Sequence, residues 1–329
     1  MVISRTPFRI SLFGGGTDYP IWYRKFGGSV ISTSINKYCY IVTRYLPPFF
    51  PYKYRIRYTH RETTLSINQI RHPAVKETLN FLNINSGIEM VHTSDLPAMS
   101  GLGSSSSFTV GFLNSLYALL GKSVSKQQLA RDAIEIEQNK IKENVGSQDQ
   151  TIAAHGGLNR ILFQKNGKII VEPLAISRSR IQALEKYILL FFTGFQRRAS
   201  DISAQLIKNT PNKFNELHAL SKITAKAYEK LTGTNFSAQT LGKLLHENWI
   251  IKKSLASNIS NQLIDEIYSE GISAGALGGK LLGAGSGGFI VFFVEPSMQK
   301  KFLRKFNKLL HVPFAFEKTG SSIIYNISD

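Results

Sequence analysis

Residues 97–107 read PAMSGLGSSSS, with glycines at 101 and 103 and then four consecutive serines. They lie between an apolar run at Ile88–Val91 and a helical pattern at Ser105–Leu120. That pattern repeats Phe108, Phe112, Leu113, Leu116, Tyr117 and Leu120 at helical spacing, and Gly121 stops it. A strand, a glycine turn and a helix in that order point to a mixed α/β architecture. Glycines let a backbone approach an anion closely. The amides of a helix's first turn are unpaired and sit at the positive end of its dipole. Serine hydroxyls add donors and can ligate Mg²⁺ held by a triphosphate. The loop is not a Walker A, because GxxxxGK[ST] is absent. Alone, it reads more readily as a serine-capped helix after a tight turn.

Two further glycine-rich turns shift that balance. In Thr6–Tyr19, TPFRISLFGGGTDY, a strand-like run ends in glycines and leaves Thr17 and Asp18 in a loop. A carboxylate there can accept from vicinal hydroxyls. Lys280–Phe289, KLLGAGSGGF, places glycines at 283, 285, 287 and 288. Such a density is entropically costly unless the backbone must pack closely against something. Either turn alone could be a tight hairpin, but three such turns beside apolar runs suggest a common purpose.

The rest of the pattern mixes strands and helices. Residues 1–60 read as β-rich, with a buried-strand composition at Tyr38–Thr43. A short helix is expected at His72–Leu82. Ser125, three residues before Gln128, caps a helix running to about Lys142. Gly157–Phe163 and Lys168–Val171 form a strand pair about Asn166-Gly167. Ile188–Phe192 is another strand. Ser200–Asn258 is mostly helical, broken at Thr210–Asn212 and Thr232–Thr234. After the glycine-rich turn come a strand at Gly288–Val294, a helix at Ser297–Leu310 and a strand at Ser322–Ile327. A polar stretch, Ser177–Arg180, suggests domains at 1–180 and 181–329.

With 329 residues and 43% hydrophobic content the chain can build two ordinary cores. Lys and Arg number 40 against 22 Asp and Glu, a net charge of +18 that attracts anionic partners. The charge is spread along the chain, without the basic tail of a nucleic-acid arm. The single cysteine, Cys39, allows no disulfide framework within one chain. No stretch looks like a signal peptide or a membrane span. A cytoplasmic protein with small-molecule partners, and with neither nucleic acid nor membrane, is the expectation.

The three turns, in this order, resemble the substrate segment, the PxxxGLGSSxx phosphate loop and the C-terminal glycine turn of the GHMP kinase superfamily. The resemblance spans nearly the whole chain. Within the superfamily, several segments look like those of sugar kinases acting on D-glycero-D-manno-heptose 7-phosphate. They are FGGGTDYP at Phe13–Pro20, NKYCYI at Asn36–Ile41, LLHENWIIKKSL at Leu244–Leu255 and GALGGKLLGAG at Gly275–Gly285. The resemblance implies a two-domain α/β (α+β) fold, with an N-terminal ribosomal-protein-S5-like domain and a C-terminal ferredoxin-like domain. It implies ATP and Mg²⁺, and transfer to the anomeric hydroxyl to give the 1,7-bisphosphate, an intermediate toward activated heptoses for surface polysaccharide.

It also carries roles over. Asp149 looks like the catalytic aspartate and Arg9 like the arginine that pairs with it. Pro97, Ser100, Gly101, Leu102, Gly103, Ser104, Ser105 and Ser106 correspond to the ATP-binding loop. Gly15, Gly16, Thr17, Asp18, Lys37, Gly283 and Gly285 fall on the substrate side. Ser105 and Glu137 match the Mg²⁺ ligands, with Glu135 competing for the acidic position. The sugar phosphate needs a basic clamp, for which Arg24, Lys37, Arg160 and Arg197 are candidates. A kinase of an unphosphorylated sugar such as galactose or fucose remains open. An RNA-binding protein is the remote alternative, since charge alone gives only non-specific affinity.

Overall fold

The computed structural model describes residues 1–195, 199–234 and 236–327. In chain order its strands are β1 (Val2–Phe13), β2 (Gly28–Tyr45), β3 (Tyr54–Arg57), β4 (Arg61–Thr64), β5 (Ile88–Ser94), β6 (Leu158–Phe163), β7 (Ile169–Pro173), β8 (Ile188–Phe192), β9 (Ala276–Leu281), β10 (Phe289–Val294), β11 (Leu310–His311), β12 (Phe316–Glu317) and β13 (Ser322–Asn326). The helices are α1 (Pro20–Phe26), α2 (Pro73–Phe81), α3 (Ser104–Leu119), α4 (Lys126–Ile134), α5 (Gln148–His155), α6 (Arg178–Lys186), α7 (Ala199–Asn209), α8 (Phe214–Thr232), α9 (Ala238–Lys253), α10 (Gln262–Ser273) and α11 (Gln299–Lys305).

Two sheets organise the chain. The larger, of nine strands, runs β13-β1-β2-β5-β3-β4, with β6 and β12 attached along the long strand β2 and β7 paired to β6. The smaller runs β11-β8-β10-β9 and is antiparallel throughout. The expected division at residue 180 is therefore crossed by the chain's end, because β12 and β13 return to pair with β2 and β1. The β-rich reading of residues 1–60 also misses α1, which Pro20 can start because a first-turn position needs no amide donor. The expected C-terminal helix is shorter, and Leu310–His311 pairs with β8 instead.

One apolar cluster joins both sheets, from Phe8, Ile10 and Ile35 in the larger to Phe289 and Val291 in β10. It also takes in Leu241 and Leu244 of α9. The glycines of β9 follow from this packing. A Cβ at Gly278 would lie 2.0 Å from the Gly242 carbonyl oxygen, so α9 sits on β9 closer than any side chain allows. The sequence reading names no strand at Ala276–Leu281; the glycine-rich turn it does expect follows β9 directly, over residues 282–288.

Candidate active site

Strand β1 and the phosphate loop meet through backbone. The Arg9 amide donates to the Leu102 carbonyl at 3.0 Å. Gly101 and Gly103 take left-handed backbone with φ of 79° and 77°, and α3 begins at Ser104. The third turn closes on the second. A Cβ on Gly101 would lie 2.5 Å from the Leu282 carbonyl oxygen, and one on Gly283 would lie 2.5 Å from the Gly101 Cα. The Phe289 amide also donates to the Ser100 carbonyl at 3.0 Å. The entropic cost of these glycines is offset by one close backbone-to-backbone contact.

Beside that contact lies a cleft of about 500 Å³ between the two sheets. Arg9, Gly15, Gly16, Asp18, Gly101, Gly103, Ser104, Ser105, Ser106, Asp149 and Gly283 all line it. Arg9 grips Asp149 bidentately, Nε to Oδ1 at 2.8 Å and Nη2 to Oδ2 at 2.6 Å. Its third nitrogen donates to the Gly101 carbonyl at 2.6 Å. The guanidinium thereby ties β1, the phosphate loop and the first turn of α5 together. Asp149 stays partly open to the cleft, at 27% side-chain exposure against 5% for Arg9.

Asp18 is buried and accepts from the Gly16 amide at 3.0 Å. Burial, with a smaller contribution from the Asp149 charge, raises its pKa above the usual carboxylate value. Gly146 packs so tightly on Asp18 that a Cβ there would strike its carboxylate.

Other expected residues stand elsewhere. Thr17 is fully buried and does not line the cleft. Its hydroxyl donates to the Gly14 and Ser29 carbonyls and accepts from the Ser29 amide, so it closes a turn. Gly285 packs against the Ile259 backbone, and Ser286 next to it adopts φ of 60° with its hydroxyl bonded to the Asn258 carbonyl. Leu102 and Ser100 lie buried behind the loop, and Pro97 is exposed outside the cleft lining. Lys37 sits in a bulge of β2 that separates the pairs Pro7–Tyr38 and Phe8–Ile35, away from the cleft. Arg24 is exposed on α1. Arg160 pairs with Glu172 at 2.6 Å and lies over the Tyr228 ring at 3.8 Å. Arg197 falls outside the described residues.

Of the two acidic candidates, Glu137 alone turns inward. After α4 the helix widens into a π-turn over Glu135–Lys140, which aims Glu137 inward. Glu135 stays outside, 3.7 Å from Lys140. Glu137 is 1% exposed and accepts from Ser106 Oγ at 2.8 Å and from Gln150 Nε2. Burial pushes its pKa up to about 7. The hydroxyl at Glu137 is therefore that of Ser106, while Ser105, one residue earlier, is exposed on the cleft wall. Oε1 of Glu137 is buried without a partner. A buried carboxylate oxygen with an open valence beside serine hydroxyls is a donor set that fits a hard cation such as Mg²⁺.

Two residues in the site were not foreseen. Lys252 at the end of α9 lines the cleft, and its Nζ donates to the Gly283 carbonyl at 2.5 Å. Asn248, one turn earlier, accepts from the Gly14 amide at 3.2 Å. Helical spacing of two polar residues inside the apolar pattern of Leu241, Leu244, Leu245 and Trp249 was the available signal.

Comparison with known proteins bears on this arrangement. Residues 68–157 match the GHMP kinases N terminal domain and residues 229–312 the GHMP kinases C terminal domain. The D-glycero-alpha-D-manno-heptose 7-phosphate kinase of Campylobacter jejuni is 31% identical over 96% of this chain and 97% of its own. The chain belongs to the GHMP kinases. It is an ATP-dependent kinase with the family's two-domain fold. A crystal structure of a D-glycero-D-manno-heptose 1-phosphate kinase from Bacteroides thetaiotaomicron superposes with a TM-score of 0.81 at 25% identity, covering all of both chains. The mevalonate kinase of Methanocaldococcus jannaschii is 26% identical over 71% of each chain. Among the described residues no helix is long and apolar enough to cross a membrane.

Proposed function

We propose that this protein transfers the γ-phosphoryl group of ATP to the anomeric hydroxyl of D-glycero-D-manno-heptose 7-phosphate. The product is the 1,7-bisphosphate, with α geometry, for nucleotide-activated heptose and surface polysaccharide synthesis. The chain is an ATP-dependent sugar kinase, and the heptose phosphate is the acceptor supported by the near full-length similarity to the Campylobacter jejuni enzyme. The observation that carries the chemistry is the Arg9–Asp149 pair standing open to the cleft beside the first turn of α3.

In this reading the triphosphate lies on the amides and hydroxyls of Ser104–Ser106. Glu137 with Ser105 or Ser106 would hold Mg²⁺, which would supply charge neutralisation to the phosphates. Asp18 and the Gly15 backbone hold acceptor hydroxyls. Asp149 takes the proton of the attacking hydroxyl. The new oxygen–phosphorus bond forms as the bond to ADP breaks. Arg9 orients Asp149 by holding both of its carboxylate oxygens, as a planar guanidinium fork can.

One observation favours a second reading. Among the described residues only Arg9 and Lys252 bring positive charge to the cleft lining. Arg24, Lys37 and Arg160 supply no clamp there, which suits an unphosphorylated sugar. ATP turnover is measured with the heptose, its 7-phosphate, its 1-phosphate, galactose and fucose, and the product position is read by ³¹P NMR. Selective turnover of the 7-phosphate to a 1,7-bisphosphate is the expected result. Preference for a free sugar overturns the acceptor assignment and leaves the kinase assignment intact.

A further inference from the structure

The transfer scheme above leaves one cation of the cleft unused. Lys252 is 6% exposed, yet it lines the cleft. One of its three N–H donors goes to the Gly283 carbonyl at 2.5 Å, and two remain. The groups facing it come from four elements: Arg9 of β1, Asp18 of the turn after β1, Asp149 of α5 and Lys280 of β9. No ion pair joins Lys252 to either carboxylate among the described residues.

Its position is specific. Gly283 rests directly on Gly101 of the phosphate loop, and a Cβ on Gly15 would lie 3.8 Å from Lys252 Nζ. The ammonium thus stands between the loop that carries the triphosphate and the turn that faces the acceptor. Asn248 on the same face of α9 holds Gly14, so one rigid helix fixes both the turn and the charge. Lys280 offers an internal contrast. It is 1% exposed, donates to the Leu12 carbonyl at 3.1 Å and does not line the cleft.

We propose that Lys252 is a catalytic residue whose ammonium donates to a non-bridging oxygen of the phosphoryl group as it crosses from ATP to the acceptor. The bond from phosphorus to the acceptor oxygen forms while the bond to ADP breaks, the hydroxyl proton goes to Asp149, and Lys252 stays protonated throughout. The inference rests on the acceptor reading above. Burial, with the Arg9 charge second, lowers the Lys252 pKa from 10.5 to about 8. The charged fraction therefore falls as pH rises through about 8, and kcat/KM falls with it.

The test uses the full chain, heptose 7-phosphate and ATP, with Lys252→Met and Lys252→Arg. Loss of one preorganised donor to a transition state lowers kcat by about 10²–10³-fold, and that is the result expected for Lys252→Met. ADP lacks the transferred group, so its affinity, read by calorimetry, stays within about threefold of wild type because no transition-state contact is involved. Lys252→Arg restores part of the rate and removes the decline above about pH 8, since arginine stays charged. A Lys252→Met enzyme with kcat within about threefold of wild type overturns the inference while the acceptor reading stands. So does equal loss of ADP binding, which marks a structural role, or an alkaline decline that persists in Lys252→Arg. Absence of turnover by the wild type overturns the acceptor reading and the inference that rests on it.

Discussion

Two arginines in this molecule hold a carboxylate at matching distances but with different forks. Arg9 spans both oxygens of Asp149, Nε to Oδ1 at 2.8 Å and Nη2 to Oδ2 at 2.6 Å, whereas Nε and Nη2 of Arg160 converge on one oxygen, Oε2 of Glu172, at the same two distances. Their surroundings differ. Arg9 sits under two glycine turns, spends its remaining nitrogen on the Gly101 carbonyl, and leaves Asp149 facing a cleft. Arg160 joins the hairpin β6–β7 near the sheet surface, stacked on Tyr228 of α8. Ion-pair distance alone therefore does not mark function here. What marks it is a carboxylate left partly open beside a backbone that has been cleared of side chains.

The sharpest way to break this comparison is Asp149→Asn. A positioned general base contributes about 10²–10⁴-fold, so kcat is expected to fall by about that factor, with nucleotide affinity nearly unchanged. The amide still accepts from Arg9, which limits the stability loss. Retention of full activity removes Asp149 from the mechanism and makes the two ion pairs equivalent. Stopped-flow or coupled assays of ADP release, with a thermal melt of the same sample, separate the two outcomes.

The legible part of this site was the part written in glycine. Gly101 and Gly283 are glycines because a close backbone contact admits nothing else, and Gly103 because its φ of 77° is left-handed. Gly285 and Thr17 obey the same rule, yet they serve packing, since the pattern cannot tell a backbone near a ligand from one near Ile259 or Ser29. Asp149 was readable only in company with Arg9, because a single carboxylate in a helix's first turn is ordinary capping chemistry. Glu137 was separated from Glu135 by the π-turn, which one extra residue per turn creates and which no side-chain pattern announces. The same limit explains Ser106. A one-residue rotation on α3 decides which hydroxyl meets Glu137, and four consecutive serines look alike in sequence. Lys252 was hidden by its type, because a lysine near a helix end is usually solvated and stabilised by the dipole.

A middle-sized effect is expected at Glu137→Gln. Replacing even an outer-shell partner of a metal ligand typically costs about 10–100-fold in metal affinity, and Glu137 is proposed as a ligand itself. The Mg²⁺ concentration giving half-maximal activity is expected to rise by at least about 10-fold, with recovery at high Mg²⁺, in line with the lower end of that range. Without Mg²⁺ the same variant melts higher at neutral pH. Burial holds the Glu137 pKa near about 7, so ionising it in the folded state is unfavourable and the neutral amide avoids that cost. An unchanged Mg²⁺ titration assigns the buried carboxylate to packing alone, which would place it with Glu172 instead of with Asp149.

The smallest effect belongs to Arg160→Met. The substitution keeps an apolar stem over Tyr228 and removes the charge from Glu172, which is 35% exposed and can be solvated. Exposed ion pairs contribute about 0–1 kcal/mol and an exposed cation–π contact about 0.5–1 kcal/mol. The melting temperature is therefore expected to drop by a few degrees, roughly in step with a loss of about 1 kcal/mol. The KM for the sugar phosphate is expected to stay within about twofold, because exposed charge beyond the Debye length of about 8 Å is largely screened. A rise in that KM well above twofold, absent with the unphosphorylated sugar, would mean that the cleft closes onto β6 during turnover and that Arg160 reaches the phosphate after all.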